Sequence, residues 1–138
     1  MLSIKRVDPV KHKDILRQLQ RECLPMDRVY DVRKGYWWIA YMDGTPIGFA
    51  GLVPSSQWQG TGYLCRAGVI ELFQGRGIQK KLIKARAQYA KSLGWTHLIS
   101  DTYDNPASAN SLIRCGFKMY DPTNPWGARG TLYWIRKL

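Results

Sequence analysis

Histidine and cysteine are scarce in this chain of 138 residues, which holds two of the first and three of the second. His12 and His97 are too few to build a metal site. Cys23, Cys65 and Cys115 are widely spaced and odd in number, which excludes a disulfide framework or a zinc knuckle and leaves free, mostly buried thiols. No apolar run is long enough to span a bilayer, and residues 1–9 lack the apolar core of a secretion signal. The expectation is a cytoplasmic protein with no membrane contact. Acidic residues are also few, 10 against 21 basic ones, for a net charge of +11. That surplus favours polyanions: nucleic acid, a ribosome, an acidic protein or a phosphorylated cofactor. The basic residues are scattered, so charge alone selects no partner. Repeats, linkers and low-complexity segments are absent. Apolar residues are plentiful at 45%, with 12% aromatics, enough to bury the core of one domain over residues 1–138.

Residues 2–7 alternate apolar and polar and predict a strand. Asp8-Pro9 predicts a helix start, and Ile15, Leu16, Leu19 and Cys23 give it an apolar stripe that ends at Leu24-Pro25. A second, short helix is expected over 27–34. Residues 36–42 are rich in β-formers. Trp37 and Trp38 alternate there, which predicts one ring in the core and one outside. Asp43-Gly44 is a hairpin signal, with 46–53 as the partner strand. Further strands are expected at 63–70, 95–103, 117–120 and 130–136. Helices are expected from 77 to about 94, where Gly94 is the C-cap residue, and over 106–114. The order β-α-α-β-β-β-α-β-α-β-β predicts an α/β (α+β) fold, a mixed sheet with helices on both faces. The C-terminal strand, taken as an exposed edge, offers a route to a homodimer.

The most informative stretch is Gln74-Gly75-Arg76-Gly77-Ile78-Gln79-Lys80-Lys81-Leu82. It follows the apolar run 67–70 and opens a segment with helical spacing: Ile78, Leu82, Ile83, Ala87, Ala90. A strand, a glycine turn and a helix can aim backbone N–H groups and the positive helix end at one anion, and glycine allows the close approach. The named phosphate motifs do not fit. There is no third glycine for a dinucleotide fingerprint, and no Gly-x-x-x-x-Gly-Lys-Ser/Thr loop. A second pattern follows, Asn105-Pro-Ala-Ser108 leading to Gly116-Phe117. Asn105 serves either as a helix N-cap or as a ligand contact.

Together these patterns resemble the GNAT superfamily of acyl-CoA-dependent N-acyltransferases, over nearly the whole chain. That family's pyrophosphate loop reads Gln/Arg-x-x-Gly-x-Gly/Ala after a strand carrying Val. Here Val69, Gln74 and Gly77 match, while Gln79 stands where Gly or Ala is usual. The resemblance implies a mixed, mostly antiparallel sheet whose middle strands, 63–70 and 96–103, splay into a slot for acetyl-CoA. Backbone groups at Val69 would meet the pantetheine arm, and N–H groups from Gln74 through Gly75, Arg76, Gly77 and Ile78 to Gln79 the pyrophosphate. Asn105 and Ser108 would lie along the arm. Arg76, Lys80 and Lys81 either add charge to the phosphates or are simply exposed.

Acetyl transfer to an amine needs a base, a donor for the developing oxyanion and a proton for the leaving thiolate. The family often supplies that proton from a Tyr seven residues after the motif Asn. Here that position is Leu112, so the usual acid is absent. Tyr103, Tyr120 and Ser108 are the candidate replacements, and solvent is another, because a thiol has a pKa of about 8.5. Glu71, Asp101 and Asp104 are candidate bases. Cys65 and Cys115 have no sequence-adjacent His to activate them, Arg66 either lines the slot or faces solvent, and Trp58 and Trp126 lie in loops suited to acceptor contact. The resemblance implies an acetyltransferase acting on an amine-bearing small molecule or a protein or peptide acceptor. The alternative is a basic module that kept the fold, lost catalysis and binds nucleic acid or ribosomes. The chain lacks the aromatic stacking motifs of RNA modules.

Overall fold

The computed structural model describes all of residues 1–138. Seven strands form one sheet in the order β1-β2-β3-β4-β5-β7-β6. The strands are β1 (Leu2–Val7), β2 (Tyr36–Met42), β3 (Thr45–Pro54), β4 (Thr61–Val69), β5 (His97–Thr102), β6 (Lys118–Met119) and β7 (Leu132–Lys137). The helices are α1 (Lys13–Cys23), α2 (Ile78–Ser92) and α3 (Pro106–Arg114). The β1–β4 meander is antiparallel, and the β2–β3 hairpin turns at Asp43 and Gly44, both at positive φ (49° and 82°), as its Asp-Gly signal requires.

The sheet separates two apolar clusters. Under α1, Leu16 and Leu19 pack with Trp37, Ile39 and Phe49. On the other face, α2 and α3 bring Ile78, Leu82, Ile83 and Leu112 onto Trp38, Leu52, Leu64 and Leu98. Trp37 and Trp38 are therefore both buried. The expectation that one would stay outside fails because helices cover both faces of β2.

The feature that positions the site is a break in the sheet. β4 and β5 are parallel and pair only at Thr61–His97, Gly62–Leu98 and Tyr63–Ile99. Beyond Tyr63 the strands part into the splay that the resemblance implies. Opposite the splay, the β3–β4 register shifts between Ala50 and Leu52. Ala50 faces Ala67 and Leu52 faces Leu64, so Cys65 and Arg66 together oppose Gly51, a β-bulge in β4.

Three sequence expectations are corrected. Residues 27–34 form no helix. Their shape is set by side chains instead: the Gln20 amide clasps both backbone groups of Tyr30, and the Asp31 carboxylate accepts from the N–H and guanidinium of Arg33. Helix α1 starts at Lys13 rather than Pro9, because the Asp8 carboxylate and carbonyl hold Val10 and His12 in a separate turn. The C-terminal strand is not an edge: β7 lies between β5 and β6, which removes the basis for the expected homodimer. No helix is long and apolar enough to cross a membrane.

Candidate active site

The turn between β4 and α2 leaves a run of donors free. A single 3₁₀ turn, Glu71–Phe73, follows the strand, and the Gln74 N–H donates back to the Glu71 carbonyl. The first bond of α2 runs from Lys81 N–H to the Gly77 carbonyl. The N–H groups of Gly75, Arg76, Gly77, Ile78, Gln79 and Lys80 donate to no protein acceptor, and no side chain caps the helix. Gly75 and Gly77 sit at φ of 78° and 77°, where a Cβ would meet no close contact. Glycine is needed there for its backbone angle, not for space. Gln74 differs from expectation, since its own N–H is spent inside the turn. Its side-chain amide donates to the Val69 carbonyl at 3.0 Å and ties the turn to the strand end.

A cavity of about 410 Å³ lies over this turn, lined also by Val69, Asn105, Ser108, Ser111 and Arg114. The charge, the free N–H groups and the helix end make it a fit for a phosphate-bearing group. Gln79, at the helix start, contributes one of the free N–H groups. Asn105 caps α3 by accepting the Ser108 N–H at 3.1 Å while also lining this cavity. Arg76 leans over the Phe73 ring, 5.0 Å from its centre.

The cavity continues into a second one of about 320 Å³ between the parted strands, with Leu24, Ala67, Gln79, Ser108 and Ser111 common to both. Strand alternation gives this slot two chemically different sides. On the side away from α2, Asp101 accepts from the Tyr63 hydroxyl at 2.7 Å and from the Trp126 indole N–H, all through one carboxylate oxygen. Burial, reinforced by the Asp101 charge and hydrogen bond, pushes the Tyr63 phenol well above its usual range. Trp126 meets Tyr133 edge-on at 4.7 Å. Leu24, Asp27 and Tyr30, from the segment after α1, close the mouth. There Asp27 pairs with Arg66 at 2.8 Å.

On the α2 side the slot is lined by Gln79, Ile83 and Arg86, spaced i, i+4, i+7 along one helix face, and by Leu112. Arg86 is 2% exposed. Its Nε donates to the Leu82 carbonyl at 3.2 Å and its Nη1 to the Gly51 carbonyl at 3.1 Å, the strand position opposite the bulge. It has no carboxylate partner, and burial lowers its pKa to about 10. Burial also raises the thiols of Cys65, to about 11, and Cys115, so both are protonated at neutral pH and are poor nucleophiles.

The structure thus brings Val69, Gly75, Gly77, Ile78, Gln79, Asn105, Ser108 and Asp101 onto one continuous cleft. Tyr103 is 62% exposed and lies outside the cleft lining, as do Glu71 and Asp104. Trp58 stacks on His97 at 4.8 Å, away from the cleft. Two residues escaped the sequence reading. Tyr63 shares its face with Asp101 through strand alternation. Arg86 carries a clearer signal, a basic residue inside the stripe Ile78, Leu82, Ile83, Ala87, Ala90.

A family model described as the acetyltransferase (GNAT) family matches residues 8–117. No curated protein sequence matches the chain. Among solved structures, an IAA acetyltransferase from Bacillus cereus is similar at 21% identity, covering 100% of both chains with a TM-score of 0.80. An acetyltransferase from Bacillus subtilis in complex with CoA is 19% identical over 100% of this chain and 99% of its own, with a TM-score of 0.79. A GNAT family acetyltransferase from Elizabethkingia anophelis with acetyl-CoA bound is 19% identical over 99% and 98%, with a TM-score of 0.76.

Proposed function

The chain belongs to the acetyltransferase (GNAT) family, and from that premise we propose that it transfers an acetyl group from acetyl-CoA directly to a primary amine. The observation that carries this reading is the unbroken run of free N–H groups from Gly75 to Lys80, opening into the slot where β4 and β5 part. The turn would hold the pyrophosphate. Val69 and its neighbours on one side, and Asn105 and Ser108 on the other, would flank the pantetheine arm. The acyl group would then lie at the bulge, where the outward N–H groups of β4 are free of the β5 ladder and can donate to the oxygen that gains charge.

The acceptor enters on the other face of the sheet. Asp101, with one oxygen held by Tyr63 and Trp126, presents its second oxygen to the incoming nitrogen. A carboxylate is too weak a base to deprotonate a free alkylammonium ion. It can take the proton once nitrogen bonds to the acyl carbon and becomes acidic. We therefore assign the base to Asp101 rather than Glu71, and give Tyr103 no part in the chemistry. Transfer is direct, because the raised thiols of Cys65 and Cys115 disfavour an acyl-enzyme.

Calorimetric titration with acetyl-CoA, beside a Gly77→Glu variant, tests this reading. Micromolar binding by the wild type and its loss in a folded variant are expected. A well-folded wild type that ignores acetyl-CoA but binds nucleic acid with steep salt dependence would overturn it in favour of a basic binding module.

A further inference from the structure

Arg86 is the one feature of the cleft that the acyl-transfer reading leaves unused. A buried cation without a counter-ion is costly, yet this one makes only two hydrogen bonds, both to carbonyls. Its Nη2 makes none, and the side chain reaches the lining of the slot. The bonds to Leu82 and Gly51 account for Nε and Nη1. It leaves Nη2 aimed at nothing the protein supplies.

Its placement along the slot identifies what it meets. Helix α2 begins at the phosphate-facing turn, and Gln79, Ile83 and Arg86 run beneath the slot, about 10 Å along the helix from first to last. Arg86 stands at the closed end, beside the bulge and Leu112. The thioester must reach this end if the phosphates lie at the turn. Leu112, where the GNAT resemblance implies an acid, lines the slot and has no proton to give.

Resting on the acetyl-CoA reading above, we propose that Arg86 is an anion subsite for the sulfur of coenzyme A, holding the leaving group as a thiolate in place of the missing proton donor. The amine lone pair forms the N–C bond. The C–S bond breaks with its electron pair going to sulfur, and the nitrogen proton passes to Asp101 and water. The sulfur needs no proton before it departs, only a cation at close range. This arrangement separates the charges of the reaction, the ammonium on the Asp101 face and the thiolate on the Arg86 face.

The groups facing Arg86 do not titrate with it near neutrality. From β4 and the end of α3 come the thiols of Cys65 and Cys115, both raised by burial, while Tyr63 turns to the Asp101 side. Asp27 is neutralised by Arg66 at the mouth, and Asp101 faces the other side on β5. A pH dependence confined to ligands carrying a thiol therefore reports the ligand's sulfur.

The test compares CoA with desulfo-CoA by calorimetry on the whole chain between pH 6.5 and 8.5, in two buffers of different ionisation enthalpy. The desulfo compound carries the same phosphates, so the affinity ratio isolates the thiol. The ratio is expected to rise about tenfold in favour of CoA across this range, with proton release on CoA binding at the lower pH, since a close cation favours the ionised thiol. Arg86→Met should flatten the ratio and abolish the proton release, while Arg86→Lys should retain part of both. A flat ratio in the wild type overturns the proposal without needing any variant to fold, as does a rise that survives Arg86→Met. If neither compound binds the folded wild type, the cofactor reading fails and takes this inference with it. If both bind with a constant ratio, only this inference fails.

Discussion

Replacing Asp101 by Asn tests the acceptor side of the cleft through three readouts. In the wild type one carboxylate oxygen accepts from both the Tyr63 hydroxyl and the Trp126 indole. The amide has a single acceptor oxygen and no charge. At best both bonds weaken from charge-assisted to neutral, about 1 kcal/mol each. Because the site is partly open to solvent, the total is about 1–2 kcal/mol, or about 3–8 °C in Tm for a chain of this size. The second readout is Tyr63 itself. Burial is the largest cause of its raised pKa, with the Asp101 charge and hydrogen bond next. The variant should therefore lower that pKa without returning it to the ordinary value of about 10. NMR of the labelled phenol carbon follows this directly. The third is catalysis: loss of the base should cost about 10²-fold or more in kcat, with acetyl-CoA affinity unchanged. A variant with wild-type turnover refutes the assignment of Asp101. A Tyr63 titration that does not move refutes the electrostatic coupling and leaves burial as the whole cause.

Gly77→Ala should cost about 1–2 kcal/mol, because its φ of 77° is strained for any side chain although the space is open. Gly77→Asn should cost less, and thermal melts distinguish the two. Gly51→Ala should be worse tolerated than its size suggests. The new Cβ would lie 2.6 Å from the Cys65 sulfur and 2.7 Å from the Trp37 ring, a misfit of about 1–3 kcal/mol measurable by urea unfolding. Stability should also fall on the alkaline side. The Cys65 thiol, raised from 9.0 to about 11, favours folding below pH 9 and loses that contribution as pH climbs through 9 to 11. The loss by pH 10.5 is roughly 2 kcal/mol relative to Cys65→Ser. Urea midpoints at pH 8 and pH 10.5 give the difference, and equal midpoint shifts in both proteins would contradict it.

Local signals carried most of the fold into the sequence. The β2–β3 hairpin was legible from Asp43-Gly44, and α2 from its apolar spacing between Gly77 and Gly94. The turn between β4 and α2 was legible as a strand–glycine–helix junction, since Gly75 and Gly77 take φ values near 78° that other residues adopt only with strain. What failed was set by contacts distant in sequence. The segment 27–34 looks helical by composition, but Gln20 holds Tyr30 from another element. Trp37 and Trp38 alternate as on a half-exposed strand, yet a helix lies on each face. The order of β7 and β6 cannot be read from a run of apolar residues. In the site, Asp101 was visible as a carboxylate in an apolar strand. Its partners, 38 and 25 residues away, were not. Arg86 went unweighed because a single basic residue in a helix ordinarily points to solvent. Here an acceptor freed by the bulge draws it inward.

The short β4–β5 ladder also makes the sheet a lever. The backbone ladder runs only from Thr61 to Tyr63, with one further tie from the Ser100 hydroxyl to the Leu64 carbonyl, and Thr102 lies three residues past the last ladder pair, about 10 Å at 3.3 Å per residue. By that rise, pivoting β5 through roughly 5° would carry Thr102 about 0.9 Å but Ser100 only about 0.3 Å. Positional tolerance thus grows with distance from the pivot. Leu64 and Ser100 sit where it is smallest, and the loops that would grip the far end of a long ligand sit where it is greatest. A change of loop length at the open end can retune reach and grip while leaving the geometry at the closed end almost untouched.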